Sequence, residues 1–404
     1  AMRKRKRDWK EQVSGIPLNQ NRNILDQFVS TLPFNLTSAQ SRCVSEICED
    51  LTSGIPMRRV LQGDVGSGKT LVALTGMLQA AAEGYKSAMM GPTEVLSEQH
   101  FMTLQNFFTD SSSKPLMEDL TNVIETTIQS TDTKITIALL NGSLGNREKA
   151  LTQEIIRSGQ ADIIVGTHSL LQKSVNFNNL GLLIIDEEHK FGVRQKEKIK
   201  KLKKDVNLLY LSATPIPTSL NFALSTLKDL SIIATAPRDR LSVRTFVYSF
   251  NENLIKECIQ RELLRSGQVY YLCNDLRLVE DRKQRIEGFF PDNKVEIVHG
   301  QLKGREIEKR MVLFQNGEID ILVCSTIIES GLDISNANTL IVEKADRLGL
   351  AQLHQLRGRV GRGNKQAFTY FLKSAGISKR KNAESRLKAL QDSDSLSAGF
   401  LLAI

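Results

Sequence analysis

Residues 61–70 read Leu61-Gln62-Gly63-Asp64-Val65-Gly66-Ser67-Gly68-Lys69-Thr70, and Gly63-x4-Gly68-Lys69-Thr70 is a complete phosphate-binding loop. A short run, Arg59-Val60-Leu61, ends a candidate strand before it, and an apolar run from Leu71 to Ala82 predicts a helix after it. Gly63, Gly66 and Gly68 let the backbone curl around Ser67 so that N–H groups face a polyphosphate, with the positive end of the helix behind them. Lys69 is then placed for the β/γ-phosphates and the Thr70 hydroxyl for Mg²⁺. The pattern predicts binding of a nucleoside triphosphate.

The chain has 404 residues, enough for two or three domains with full cores. Its 41% hydrophobic and 25% charged content is that of an ordinary globular protein. No apolar run approaches the roughly 20 residues needed to span a bilayer, and no signal-peptide pattern opens the chain. Five scattered cysteines (Cys43, Cys48, Cys258, Cys273, Cys324) lack metal-site spacing and fit a reducing, cytoplasmic compartment. A net charge of +9 suggests a polyanion partner, although charge alone does not name one.

Outward from the loop, the chain reads as five segments. Residues 1–31 form a basic lead-in that becomes helical, followed by a first α/β domain at 32–236. A proline-and-charge linker spans 237–244, a second α/β series spans 245–375, and a basic helical segment covers 376–404. In Pro33-Phe34-Asn35-Leu36-Thr37-Ser38-Ala39-Gln40, Thr37 or Ser38 caps a helix. The Gln40 amide reads either as part of that cap or as a partner for the two-sided edge of adenine, with Phe34 able to stack on the base.

Repeated strand-then-helix alternation predicts mostly parallel sheets, whose ligands lie at the carboxyl ends of strands. Strand 87–90 delivers Thr93, strand 162–165 delivers Thr167 and His168, strand 182–185 delivers Asp186-Glu187-Glu188-His189, and strand 208–211 delivers Ser212-Ala213-Thr214. Residues 110–134, rich in Ser, Thr and Asp, read as an exposed irregular insertion.

Asp186 can hold Mg²⁺, and Glu187 can orient the attacking water. His189 is either a sensor of the nucleotide or a turn histidine, and the Ser212 and Thr214 hydroxyls either bridge to the carboxylates or cap helices. In the second series, Thr326 follows a strand. The segment Gln352 to Gly363 carries Arg357, Arg359 and Arg362 among glycines. Arg359 and Arg362, three apart, would share one helical face and could stabilise the charge that develops in phosphoryl transfer.

These motifs, in this order from Phe34 to Phe371, resemble the motor of superfamily 2 helicases and translocases. GDVGSGKT, GPTEVLSEQH, GTHSLLQ, LGLLIIDEEHKFGV, SATPIP and GLAQLHQLRGRVGRG are similar to RecG, a fork-reversing helicase, and to Mfd, the transcription-repair coupling factor. PFNLTSAQ, MRRVLQGDVGSGKT and NGSLGNRE read as RecG-like. DLSIIATAPRDRLSVRTF, GQVYYLCND and SGLDISNANTLIVE read as Mfd-like.

The resemblance implies two tandem RecA-like domains with an ATP site in the interdomain cleft. It implies that Phe34 and Gln40 contact adenine, that Asp333 lies on the nucleotide side, and that Arg359 and Arg362 act as arginine fingers. Thr93, Thr167, His168, His189, Ser212, Thr214, Thr326 and Gln352 would serve nucleic acid or coupling. It further implies a monomeric ATP- and Mg²⁺-dependent motor on double-stranded or branched DNA, nucleoid-associated, in repair or recombination.

Departures from the pattern accompany the likeness. Thr218 stands where these families have Arg. The chain stops before the hairpin both families use for translocation, and it lacks a RecG-type wedge and an Mfd-type RNA polymerase-binding domain. An RNA-directed helicase, or a nucleic-acid clamp that turns ATP over poorly, are the alternatives.

Overall fold

The computed structural model describes residues 15–18, 22–64, 66–108, 114–118, 120–128, 133–172, 174–201, 205–213, 229–234, 241–325, 334, 336–361, 365–374, 385–388 and 391. Thr214, Thr218, Thr326, Asp333 and Arg362 lie outside these residues. The chain divides into two compact units, one of Ala1–Gly63 with Ser67–Thr235 and one of Ala236–Ile404 with Asp64–Gly66.

The first unit is built on strands buried on both sides. In β7 (Leu180–Asp186) every residue is buried. Leu182 and Ile184 enter one core while Leu183 and Ile185 enter another, because successive side chains point to opposite faces. The same alternation divides Val60 from Leu61 in β1 (Arg58–Gly63), and Met89 from Met90 in β2 (Lys86–Met90). With β3 (Lys114–Pro115), β4 (Val123–Ile128), β5 (Thr133–Leu140), β6 (Ile163–Gly166), β8 (Asn207–Ser212) and β9 (Asp229–Ile233), these strands form one sheet. Among the described residues its order is β3-β4-β5-β6-β2-β7-β8-β1-β9. All neighbours from β5 to β9 pair in parallel.

The helix Lys69–Ala82 that follows the phosphate loop is buried from Leu71 to Ala80, which explains its lack of a polar face. It packs with helices Ser38–Thr52 and Arg22–Thr31 on one side of the sheet. Phe28, fully buried, meets Phe108 at 5.6 Å, and Gln79 Nε2 donates to Leu18 O at 2.7 Å. The helical part of the lead-in thus belongs to the first unit's core.

The expectation of an irregular insertion at 110–134 is corrected. Its described part holds β3, β4 and the start of β5, with β4 antiparallel to β5 and Val123, Ile124 and Ile128 buried. Thr126 and Thr127 read as polar loop residues in composition, but β-branched side chains suit a pleated strand. Strand β9, parallel to β1 at the opposite edge, was also not foreseen.

The second unit holds β10 (Arg244–Ser249), β11 (Gln268–Leu272), β12 (Val295–Val298), β13 (Ile321–Cys324), β14 (Ala337–Val342) and β15 (Phe368–Lys373). Their order among the described residues is β10-β15-β14-β11-β13-β12, parallel throughout. Helices Glu252–Leu264 and Leu276–Phe289 cover one face through Ile255, Ile259, Val279 and Ile286. On the other face Tyr270 meets Phe314 edge-on at 5.0 Å. All five cysteines are free and buried, in keeping with packing rather than cross-linking.

Candidate nucleotide and coupling site

Parallel strands put all their carboxyl ends on one edge, and this edge of the first unit gathers the sequence motifs. Register pairs Gln62 with Ser212, Asp186 with Leu211, and Met90 with both Gly166 and Ile185. The phosphate loop, Thr93, Thr167, Asp186 and Ser212 therefore leave the sheet from neighbouring strand ends.

In the phosphate loop, Gly66 and Gly68 take φ of +77° and +88°, a region that side-chain-bearing residues avoid. Gly68 is also the N-cap of helix Lys69–Ala82, which begins without a side-chain cap. Lys69 Nζ donates to Gly63 O at 2.7 Å, so the ammonium lies over the loop. A Cβ added at Gly63 would come within 2.4 Å of Ser67 Oγ. That hydroxyl is buried with no hydrogen-bond partner among the described residues. An uncapped helix start, a lysine over the curl and an unsatisfied buried hydroxyl form a donor set suited to phosphate. Thr70 begins the helix beside them and is half-buried.

Gln40 takes the capping part its sequence allowed, and its amide has a second partner in the phosphate loop. Its Oε1 accepts from Thr37 N at 2.8 Å and its N donates to Thr37 Oγ1 at 3.2 Å, a complete capping box. Its Nε2 reaches across to Ser67 O at 2.9 Å, pinning the phosphate loop. Gln40 is buried, whereas Phe34 is 46% exposed and offers an open ring.

The acidic motif follows β7 directly. Asp186 is buried and its Oδ2 lies 3.0 Å from His100 Nε2. Burial alone would push this carboxyl up. The His100 hydrogen bond and the charges of His100, Lys69 and Lys190 outweigh it and hold the group below its usual range. Glu187 sits at φ 49°, ψ 54°, a left-handed conformation costing about 1–2 kcal/mol for a residue with a side chain. Its N donates to Leu211 O at 3.1 Å, its Oε1 accepts from Ala213 N at 3.3 Å, and its Oε2 lies 3.2 Å from His189 Nδ1. Within the Ser212-Ala213-Thr214 motif, the Ala213 backbone N–H is one link to the acidic turn.

Thr93 caps helix Glu94–Asn106, accepting from Leu96 N at 3.3 Å. Thr167 caps the short turn His168–Leu171, accepting from Ser169 N at 3.4 Å. Both hydroxyls stand at the strand-end edge. His100, on the Thr93-capped helix, was missed by sequence reasoning. Its place at the end of GPTEVLSEQH, two turns beyond Thr93, was the available signal.

In the second unit, Gln352 is exposed and its Oε1 accepts from Gly349 N at 3.1 Å at the start of helix Leu350–Arg357. Arg357 and Arg359 are buried. The expectation that Arg359 and Arg362 share a helical face is corrected: the helix ends at Arg357, Gly358 caps it, and Gly361 turns the chain at φ +73°. Glycine punctuation here ends the helix instead of carrying it on.

A phosphate-loop nucleotide site on a parallel sheet, with a second parallel α/β unit after it, defines the class. Residues 37–222 match the DEAD/DEAH box helicase family, and residues 251–364 match the helicase conserved C-terminal domain. The transcription-repair-coupling factor of Staphylococcus haemolyticus (strain JCSC1435) is 41% identical over 398 residues, 98% of this chain and 32% of that protein. That of Haemophilus influenzae (strain ATCC 51907 / DSM 11121 / KW20 / Rd) is 41% identical over 394 residues, again 98% of this chain and 32% of that protein. The structure of RecG bound to a three-way DNA junction aligns at a TM-score of 0.82 and 34% identity, covering 100% of this chain and 50% of that one. Dbp5 of S. cerevisiae, bound to RNA and ADP BeF3, shares the fold at a TM-score of 0.64 and 18% identity, covering 94% of this chain and 93% of that one. The chain belongs to the superfamily 2 helicase and translocase motors of the RecG and Mfd group. It spans about a third of the length of the curated relatives it matches.

Proposed function

We propose that the chain is the ATP-driven motor core of a double-stranded DNA translocase or helicase acting in DNA repair or recombination. The observation that carries this reading is the likeness to RecG on a three-way DNA junction, 34% identical across 100% of this chain. The likeness to an RNA-bound protein at 18% identity extends to the fold alone.

On this reading Lys69 and the loop residues Gly63, Gly66, Ser67 and Gly68 bind the phosphates of ATP, and Phe34 and Gln40 bind its base. Thr70 and Asp186 would hold Mg²⁺, which would supply positive charge to offset that of the phosphates. Glu187 orients the attacking water and takes its proton, a role that the strained turn at φ 49° suits by fixing the carboxylate. Arg359, with Arg362, stabilises charge developing on the transferred phosphoryl group, and Asp333 lies on the nucleotide side. Thr93, Thr167, His168 and Gln352 meet the nucleic-acid backbone. His189, Ser212, Thr214 and Thr326 couple it to hydrolysis.

Backbone contacts through a chain of net charge +9 imply little sequence preference and steep salt sensitivity. The partner is duplex or branched DNA, with the motor acting as a monomer. An RNA polymerase contact would belong to a longer relative. The test is ATP turnover of the wild-type chain and Lys69→Ala with and without duplex DNA. Duplex-stimulated turnover that K69A abolishes supports the reading, and turnover that survives K69A contradicts it.

A further inference from the structure

His100 has no role in the nucleotide site as assigned so far, yet among the described residues it is the side chain that hydrogen-bonds the Asp186 carboxylate, Nε2 to Oδ2 at 3.0 Å. Both residues are buried, His100 at 8% exposure. An ionised carboxylate only accepts, so the proton of this bond sits on Nε2 and the imidazole donates. The helix that carries the imidazole is itself held. It is capped by Thr93, Ser97 N one turn before His100 donates to Thr93 O at 3.1 Å, and the neighbouring Phe101 and Leu104 are buried in the core.

A buried His–Asp pair can be mere packing, but three features of this one point elsewhere. The carboxylate ends its strand on the same sheet edge as the phosphate loop, one strand away from it. Lys69, the phosphate-facing lysine, is close enough to act on the Asp186 charge. The donor comes from a different element, the helix that starts at Thr93, so the bond ties one strand end to another.

We propose that His100 is a positioning residue for the metal: by donating to Oδ2 it holds the Asp186 carboxylate in one orientation toward Mg²⁺. The proposal rests on the reading of Asp186 as a Mg²⁺ ligand. Partners of this outer kind typically change metal affinity or activity ten- to a hundred-fold when removed, because a free carboxylate must be ordered at the moment of binding.

The test uses the full chain and a fluorescent N-methylanthraniloyl-ADP probe, titrated in EDTA and across micromolar to millimolar Mg²⁺. Thermal unfolding of the nucleotide-free protein runs in parallel. His100→Phe keeps ring volume and removes the donor, while His100→Gln places an amide N–H near Nε2. The expected result for H100F is an approximately ten-fold rise in the Mg²⁺ needed for half-maximal probe binding. Probe binding in EDTA should be unchanged, and H100Q should recover most of the loss.

Wild-type Mg²⁺ dependence in H100F, beside a clear loss in Asp186→Asn, would overturn the proposal and leave His100 a packing residue. A D186N response equal to wild type would overturn the assignment of Asp186, and the proposal with it. Should H100F fail to fold, His100→Asn replaces it. Its amide reaches only as far as Nδ1, so H100N should lose the Mg²⁺ response that H100Q keeps, and equal responses would contradict the proposal.

Discussion

Gln40 Nε2 donates to Ser67 O at 2.9 Å, joining residues 27 positions apart so that the cap of one helix also braces the phosphate loop. The cap and the loop are therefore one unit, and perturbing either should disturb both. Gln40→Ala removes the capping box and this brace together. Loss of a cap costs about 1 kcal/mol, which for a domain of this size lowers Tm by roughly 2–4 °C. Nucleotide affinity should fall in the same variant. Differential scanning calorimetry with nucleotide titration checks both. A Tm drop with unchanged affinity would separate the cap from the loop.

Gly68→Ala attacks the other side of that contact. A Cβ at this position would lie 2.4 Å from Gln40 Nε2, on a residue at φ +88°. The left-handed conformation alone costs about 1–2 kcal/mol with a side chain present. Nucleotide binding should weaken at least about ten-fold while circular dichroism shows an intact fold, since the strain is confined to a turn. Wild-type affinity in this variant would mean that the loop does not need its observed curl.

Glu187→Gln keeps an oxygen for the Ala213 N–H but has no carboxylate to accept a proton. Turnover should fall roughly 100-fold or more with nucleotide binding retained. Single-turnover hydrolysis separates the two quantities. Turnover within a few-fold of wild type would remove Glu187 from the proposed chemistry.

His354 in the second unit supplies a pH dependence. Burial, with the Arg357 charge nearby, lowers its imidazole from 6.5 to about 4. Between those values the unfolded chain holds a proton that the folded chain refuses. Its contribution is thus complete above pH 6.5 and is lost as pH falls toward 4. A gap of that size is worth at most about 3 kcal/mol. His354→Phe should flatten this part of the stability profile, measured as urea midpoints at neutral and mildly acidic pH. An unchanged slope would show that other groups carry it.

How much of this was legible in the sequence depended on whether the signal was local. Runs such as Leu182–Ile185 announce a strand buried on both faces, and the turns after such strands inherit a common edge. The phosphate loop, Thr93, Thr167, Asp186 and Ser212 accordingly follow the carboxyl ends of parallel strands, as their spacing predicts. The Thr-rich strand β4 was hidden because threonine counts as polar in composition yet packs as a β-branched residue. Glycines near Arg359 were read for close approach; Gly358 instead caps the helix that ends at Arg357, while Gly361 turns the chain at φ +73° against Ala367 and Val243. His100 was hidden for a third reason. Its partner lies 86 positions away, and the pairing exists only once β2 and β7 lie side by side.

The most direct measurement is steady-state ATP hydrolysis by the wild-type chain with no nucleic acid, duplex DNA, single-stranded DNA and RNA, repeated at two salt concentrations. A duplex-binding motor should be stimulated most by duplex DNA, and the stimulation should fall steeply as salt rises. Strongest stimulation by RNA, or equal and low turnover in all four conditions, would contradict the proposed function.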